Sequence, residues 1–366
     1  MRVLYLANSI LPSRYANGVH IMKMCDALSG KGCDVVLLAK THREGLKYSS
    51  KEIHNYYGTK NSFRITRNFV PAFTGGSIFC IINIFLHLLK QNRKTTIYAR
   101  DPYGAFIGWV LGYNMIYELH GLPTNLIIKL IEKLLLKTNT VFVYISTALR
   151  IKHSEYHKSA VKDCLVLHDG ADPIVSGPQK NEHRKIKAGY IGGLYPGRGI
   201  EMILQIAKQL RDIEFHIVGG DDIQVSHYEG LSSPNVFFHL YVRPARVPTM
   251  IITYDIVLMP YQVRLQIAGR KVDTSGWMSP IKMFEYMSAK KAIISSDMPV
   301  LREVLNESNA ILVPPADLDS WVEAVRSLSL DKERREKIGE KAFSDFIANY
   351  TWDKRAERIV SILETD

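Results

Sequence analysis

Short apolar runs alternate with helical stretches along the whole chain, and that alternation restricts it to an α/β architecture built on parallel sheets. Arg2-Val3-Leu4-Tyr5-Leu6-Ala7 is a strand, a polar loop runs from Asn8 to Asn17, and Gly18 opens a helix over Val19 to Leu28 that ends near Gly30 and Gly32. Asp34 to Ala39 is the next strand. Strand, helix and strand at this spacing form a βαβ unit, whose two strands must run parallel. Ligands of such sheets sit beyond the carboxyl ends of the strands. The rule places Asn17 and Gly18 at a cleft, where glycine admits close backbone approach.

The same rule selects later residues. Ile97-Tyr98-Ala99 runs into Arg100-Asp101-Pro102, Met115 to Leu119 into His120-Gly121, and Val141 to Ile145 into Ser146-Thr147. Leu165-Val166-Leu167 precedes the turn from His168 to Pro173, and a helix starts at Gly75-Gly76-Ser77 and reaches about Lys90. His120 is a cleft candidate by position, although a lone histidine is more often structural. The polar stretch Ser176 to Lys187 is the expected linker, giving domains over 1–172 and 188–350 joined through 173–187.

The second half restarts the pattern. Ala188 to Ile191 is a strand, Gly192 to Gly199 a glycine-rich loop, and Ile200 to Leu210 a helix. The loop nearly matches G-x-x-x-x-G-K-[ST], but Arg198 stands for the lysine and Gly199 has no hydroxyl for magnesium, which argues against an ATPase or kinase. It still suits a phosphate cradle with Arg198 as the cation. No G-x-G-x-x-G follows any expected strand, which argues against a dinucleotide oxidoreductase. Phe215 to Gly220 is a strand and turn, Val236 to Leu240 leads into Tyr241-Val242-Arg243, Asp255 to Pro260 is a buried strand, and Gln262 to Trp277 is a long polar loop. Asp317-Leu318-Asp319 matches the D-x-D of metal-dependent sugar transferases, yet it directly precedes a helix and is taken as its cap. From Asp331 the chain is helical to the end, with a break near Asn349-Tyr350-Thr351.

Ser279-Pro280-Ile281-Lys282-Met283-Phe284-Glu285 has the pattern of an N-cap serine with proline in the first turn. Such a helix start favours a phosphate. Lys282 adds a cation there, and Glu285 lies three residues on along the same face, placed to accept from ribose hydroxyls. Spacing by itself leaves an ordinary capped surface helix with a charged pair as the alternative.

The 366 residues suffice for two domains. Four scattered cysteines without C-x-x-C imply a reducing compartment and no zinc site. The N-terminus turns polar too soon for a signal peptide, and the longest apolar run, Ile78 to Leu89, is too short to span a bilayer. The net charge of +11 is uneven: residues 1–172 hold 22 Lys and Arg against 11 Asp and Glu, and residues 173–366 hold 25 of each. That asymmetry points to an anionic partner of the first half, a membrane surface, a lipid phosphate or a nucleic acid. Between residues 40 and 69, seven basic residues interleave with Tyr48, Tyr56, Tyr57, Phe63 and Phe69, which suits an interfacial surface or single-stranded nucleic acid. A solvated loop region with a few packed aromatics is an equal alternative.

Taken in order, several blocks resemble the retaining family-4 glycosyltransferases: Ala16-Asn17-Gly18-Val19-His20, Tyr98 to Pro102, Glu118-Leu119-His120, His168 to Asp172, Gly192 to Gly199, Phe215 to Gly220 and Ser279 to Met287. The resemblance implies the GT-B fold, two Rossmann-like domains facing each other across a cleft, with a C-terminal helix over 351–366 crossing back to the first domain. It implies transfer of a sugar from a nucleotide diphosphate sugar, with retention and without cofactor or metal ion, to a lipid-linked or growing cell-surface glycan such as lipopolysaccharide. By that likeness Glu285 takes the ribose, Lys282 and the Ile281 amide the diphosphate, with Ser279, Pro280, Gly193 and Gly219 lining the donor. Arg198 stands at the family's phosphate-binding lysine. Asn17 and Gly18 approach the diphosphate, His120 the donor sugar, and Tyr241, Val242 and Arg243 the base. Arg100 and Asp101 are acceptor-side candidates. Trp277 stands where the family often has a second glutamate, and Gly193 where it has a phosphate arginine. The expected partners are a nucleotide sugar, a glycan or lipid-linked acceptor and an anionic membrane, with no nucleic acid, at the cytoplasmic face. A sugar-nucleotide epimerase, or an inert sugar-nucleotide-binding relative, shares most of these blocks.

Overall fold

The computed structural model describes residues 1–60, 62–70, 76–161, 164–174, 185–267 and 270–364. It divides into two compact units, Met1–Asp169 with Trp352–Asp366, and Gly170–Thr351. The linker expected over 173–187 falls, from 175 to 184, outside the described residues, as does Gly75.

The first unit alternates β1 (Arg2–Ile10), α1 (Ala16–Gly30), β2 (Asp34–Thr41), α2 (Ser50–Tyr57), β3 (Arg64–Phe69), α3 (Gly76–Leu89), β4 (Thr96–Ala99), α4 (Pro102–Val110), β5 (Met115–Leu119), α5 (Leu126–Leu135), β6 (Val141–Tyr144), α6 (Thr147–His157) and β7 (Cys164–Val166). The strands pair in parallel in the order β3-β2-β1-β4-β5-β6-β7. Covered on both faces, the central strands are apolar nearly throughout; β4 and β5 are buried at every position, whereas the edge strand β3 is polar. Right-handed crossovers put α1 and α2 on one face of this sheet and α3 to α6 on the other. Helices that leave a strand start on polar caps: the Asp101 carboxylate accepts from the Gly104 amide, Asn125 from Ile128 and Ser146 from Leu149.

The second unit runs β8 (Lys187–Ile191), α7 (Ile200–Gln209), β9 (Glu214–Val218), α8 (Asp222–Glu229), β10 (Val236–His239), α9 (Val247–Ile251), β11 (Ile256–Met259), β12 (Gln266–Ile267), β13 (Arg270–Asp273), α10 (Ile281–Ser288), β14 (Ala292–Ser296), β15 (Ile311–Val313), α11 (Leu318–Leu330) and α12 (Lys332–Asn349). Its sheet has the order β10-β9-β8-β11-β14-β15. Ile203, Phe215, Leu258, Ile294 and Trp321 are fully or almost fully buried in its core. The polar stretch 262–277, expected as plain loop, contains the antiparallel ribbon β12–β13. Asp317 caps α11, accepting from the Ser320 amide at 3.1 Å, as its sequence context suggested.

The break at Thr351 ends the second unit, and α13 (Trp352–Leu363) packs against α1 of the first. Trp352, Arg355, Ala356 and Ile359 form its buried stripe, a helical i, i+3, i+4, i+7 spacing.

Candidate active site

Strand order in the second sheet reverses between β8 and β11, and the loops after these two strands meet the start of α10. Gly199 ends the β8–α7 loop as the N-cap of α7 at φ +80°, and a Cβ there would lie 1.9 Å from the Pro260 carbonyl oxygen. Glycine is therefore required for that loop to pass close over the end of β11. Pro280, not Ser279, is the N-cap of α10. Its extended backbone (φ −79°, ψ 118°) and its carbonyl, which accepts from the Met283 amide at 3.0 Å, define the first turn. Serine stands one position too early to be the N-cap, and the N-cap itself makes no side-chain hydrogen bond, so the helix start can offer its dipole to an anion.

Two cations converge here. The Lys282 ammonium lies 3.7 Å from the centre of the Tyr190 ring, and a Cβ on Gly192 would stand 2.4 Å from its Nζ. The Arg198 guanidinium lies over Tyr261 at 5.3 Å, and Lys282 lies 5.4 Å from the same ring. Among the described residues, the buried Lys282 Nζ and Arg198 Nε have no hydrogen-bond partner. Burial first, then the Arg198 charge, push the Lys282 ammonium well below its ordinary range, against a smaller opposing pull from Glu285. Buried nitrogens of two adjacent cations without hydrogen-bond acceptors are costly unless an anion binds between them. Tyr286, one turn on, accepts the Ile191 amide at 2.8 Å and ties α10 to β8.

The other expected donor residues are at the same sheet edge. Gly219 follows β9, where a Cβ would meet the Gly192 carbonyl oxygen at 2.0 Å, and Gly193 accepts from the Tyr190 hydroxyl at 2.8 Å. Tyr241, Val242 and Arg243 follow β10, with the Tyr241 amide donating to Gly220. Glu285 is half-buried one turn into α10.

The first unit holds a separate cluster around Glu118, buried on β5. His120 donates to one carboxylate oxygen and the Tyr98 hydroxyl to the other. His20 Nε2 lies 2.8 Å from Oε1, with His20 Nδ1 2.6 Å from Asp169, and Arg355 of α13 approaches Oε2 at 3.0 Å. Arg100 Nε is 3.5 Å from Oε1. Burial would raise the Glu118 carboxyl, but Arg355, then His20 and the hydrogen bond from His120, hold it well below the usual range. Burial and then Arg100 bring His120 down to about 4, so its imidazole is neutral at pH 7. An ionised Glu118 keeps the His120 proton on Nε2 and leaves a lone pair on Nδ1, fit to accept from a hydroxyl.

Three expectations for this unit need correction. Asn17 and Gly18 are not in a loop: α1 starts at Ala16, and the space a Gly18 Cβ would fill is occupied by the Tyr57 hydroxyl at 2.6 Å. The Asp101 carboxylate, 5% exposed, is engaged in capping α4 and in accepting from Asn8 at 3.3 Å. Of the aromatics considered for an interfacial surface, Tyr57 and Phe63 are buried core residues, because the 40–69 stretch folds into α2 and β3, while Tyr48 and Phe69 are exposed. His20, Glu118, Asp169, Arg355, Tyr190 and Tyr261 were not selected from the sequence as site residues. Tyr261 lies two residues past the end of β11, so the strand-end rule would have found it.

Comparison with known proteins gives the following. Residues 185–331 match the family model for Glycosyl transferases group 1. A stretch of 116 residues is 32% identical to TuaH of Bacillus subtilis (strain 168), assigned as a teichuronic acid biosynthesis glycosyltransferase. That match covers 31% of this chain and 27% of the relative. Sucrose-phosphate synthase from Thermosynechococcus elongatus superimposes with a TM-score of 0.76 at 14% identity, over 100% of this chain and 98% of that one. Anabaena Alr3699/HepE, solved in complex with UDP, gives 0.76 at 13% identity over 100% of both chains. The fold is GT-B.

Proposed function

We propose that this GT-B protein, with its group 1 glycosyltransferase segment over 185–331, is a retaining glycosyltransferase that moves a sugar from a nucleotide diphosphate sugar to a cell-surface glycan. The observation that carries this reading is the pair of half-buried cations, Lys282 and Arg198, whose buried Nζ and Nε lack hydrogen-bond partners at a helix start where the second sheet's strand order reverses. A diphosphate supplies the oxygens that both lack. Glu285 then accepts from the ribose, and the loop Tyr241 to Arg243 meets the base. Uridine is the first base to test, since HepE binds UDP.

In this mechanism the acceptor hydroxyl attacks from the face the leaving diphosphate vacates, and a donor phosphate oxygen takes its proton. The anomeric carbon–oxygen bond to the diphosphate breaks as the new glycosidic bond forms, which preserves configuration. Lys282, Arg198 and the α10 amides stabilise the departing charge where other transferases hold a divalent ion. His120, neutral and oriented by Glu118, offers an acceptor for a sugar hydroxyl at the edge of the first sheet.

The acceptor side rests on charge and exposure. On the α3–α4–α5 layer of the first unit, Ile78 (60%), Leu89 (53%), Leu126 (70%), Ile127 (60%) and Leu130 (53%) are exposed beside Lys129, Lys133 and Lys137. An anionic membrane carrying a lipid-linked acceptor matches both the apolar side chains and the basic excess of residues 1–172. No helix among the described residues is long and apolar enough to cross a membrane.

The test is thermal shift with UDP, GDP and their sugars, followed by turnover of the stabilising donor. Glu285→Ala should keep its fold, bind that donor more weakly and lose turnover. Absence of stabilisation by every nucleotide sugar, or wild-type kinetics for Glu285→Ala, would overturn the reading.

A further inference from the structure

A third group of titratable side chains lies apart from both clusters described above. His153 and His157 are one turn apart on α6, and Glu132 faces them from α5. Each histidine Nε2 is 3.2 Å from the same carboxylate oxygen, Glu132 Oε2, and the three side chains are 0%, 0% and 2% exposed. Their candidate ligand atoms all lie within 4.8 Å of one another.

We propose that Glu132, His153 and His157 form a zinc site that fastens α5 to α6. The geometry is the first support. Zinc bonds imidazole nitrogen and carboxylate oxygen at about 2.0–2.2 Å in a tetrahedron, whose ligand-to-ligand edges are about 3.3 Å. The two nitrogen–oxygen edges here are 3.2 Å. A pair of histidines at i, i+4 presents two nitrogens to one point, which is the helical half of a familiar zinc arrangement.

The outer contacts are the second support. The Tyr117 hydroxyl donates to Glu132 Oε1 at 2.9 Å, and the Tyr144 oxygen is 2.9 Å from His153 Nδ1. With a metal bound, the Tyr144 oxygen can accept the His153 Nδ1 proton, which frees the Nε2 lone pair for the ion in place of its hydrogen bond to Glu132. Such contacts orient metal ligands and fix their tautomers. Charge is the third. Among the described residues the ion-pair partners of Glu132 are the two histidines, with no lysine or arginine. The nearby Lys129 ammonium stacks on Tyr156 at 4.5 Å. A divalent ion would neutralise this buried carboxylate, and two imidazoles favour zinc over magnesium or calcium.

The other histidine–carboxylate trio, His20, Glu118 and His120, is the internal contrast. There the Arg355 guanidinium already stands 3.0 Å from the carboxylate and supplies the compensating charge. The absence of C-x-x-C carries no information about a site built from histidine and glutamate on two helices.

The experiment uses the full chain, stripped with chelator and dialysed against zinc or cobalt. Wild type should retain one equivalent of zinc, show the visible bands of tetrahedral cobalt, and gain about 5 °C in Tm at zinc a hundredfold above its Kd. His157→Gln and Glu132→Gln should lose the equivalent, the bands and the gain. Their own Tm in metal-free buffer shows whether they fold, and a separate His153→Gln variant repeats the test if either does not. His120→Ala should keep the equivalent. No zinc on wild type, which would leave a hydrogen-bonded trio, overturns the proposal. So does zinc retained by folded His157→Gln or lost in His120→Ala.

Discussion

Arg355 and Glu118 form a buried ion pair, with Nη1 3.0 Å from Oε2 and side chains 3% and 0% exposed. Arg355 also donates to the His168 and Leu167 carbonyl oxygens at 3.0 and 3.3 Å. The last helix of the chain thus supplies the charge that keeps Glu118 ionised, and Glu118 in turn orients His120. Removing one member of a buried pair strands the other, at a cost of about 3–5 kcal/mol. Arg355→Met should therefore lower the urea midpoint of the first unit by that equivalent. Glu118→Gln in the Arg355→Met background should recover part of it, because it removes the stranded charge. A midpoint unchanged by Arg355→Met would show the pair to be energetically silent.

Lys282 should show opposite signs in the free and bound protein. Without ligand, Lys282→Met relieves a buried ammonium that has no hydrogen-bond partner, so stability should hold or rise. With ligand, the same change should cost about 2–4 kcal/mol of diphosphate stabilisation. The depressed ammonium adds a pH signature. A diphosphate raises the Lys282 pKa, so between the free and bound values binding takes up a proton and weakens as pH rises. Calorimetry in buffers of different ionisation enthalpy measures that uptake. Zero uptake in wild type across the neutral and alkaline range would contradict the Lys282 assignment.

Glycines at two positions should respond in opposite directions. Gly199→Ala puts a Cβ 1.9 Å from the Pro260 carbonyl oxygen at φ +80°, which should cost about 2 kcal/mol or more and disturb the phosphate loop. Gly30→Ala meets nothing within 4 Å at the end of α1 and should be neutral or stabilising by about 0.5–1 kcal/mol. Chemical denaturation of both variants checks the contrast.

His120 links pH to stability. A histidine in the unfolded chain takes its proton near 6.5, whereas the folded His120 waits until about 4. Between these values the unfolded state binds more protons. This contribution is therefore complete above about pH 6.5 and is lost as pH falls toward 4, an effect of roughly 2–3 kcal/mol. Denaturant midpoints at pH 7 and pH 5 should differ more for wild type than for His120→Gln. Equal differences would mean that His120 titrates normally.

Much of the architecture was legible because strand and helix periods are local. β5 was read to its observed ends, β8 to within one residue, and the break at Asn349–Thr351 separates α12 from α13. β3 was missed because Arg64, Arg67 and Asn68 break its apolar pattern, and Tyr57 and Phe63 look interfacial until α2 and β3 bury them. Lys282, Arg198 and Glu285 are candidates by the helix start and the glycine loop, since both motifs are short. Tyr190 and Tyr261, whose rings receive the two cations, were not, and neither was Arg355. Its partner Glu118 lies far away in sequence, and no spacing rule encodes such a meeting.

The membrane reading makes a prediction that separates two surfaces of the first unit. The basic stretch 40–69 contributes charge, but its aromatics Tyr57 and Phe63 are buried and cannot enter headgroups. Among the described residues α3 and α5 carry the densest runs of exposed apolar side chains, so those helices should insert and lysines such as Lys129 and Lys133 should meet lipid phosphates, with the exposed Leu46, Tyr48 and Phe69 of the basic stretch as the lesser contact. Each basic residue near an anionic surface contributes about 1 kcal/mol, and salt screens it over about 8–10 Å. The protein should sediment with anionic vesicles, less so at high salt, and hardly at all with neutral ones. Ile82→Asp with Leu130→Asp should abolish the salt-resistant part, since Ile82 and Leu130 are 48% and 53% exposed and their change need not disturb the core. Lys51→Glu, outside these helices, should weaken attachment slightly through charge. Equal binding by the double aspartate variant and wild type would remove α3 and α5 from the contact. Negligible binding to both vesicle types would remove the membrane and leave a soluble acceptor.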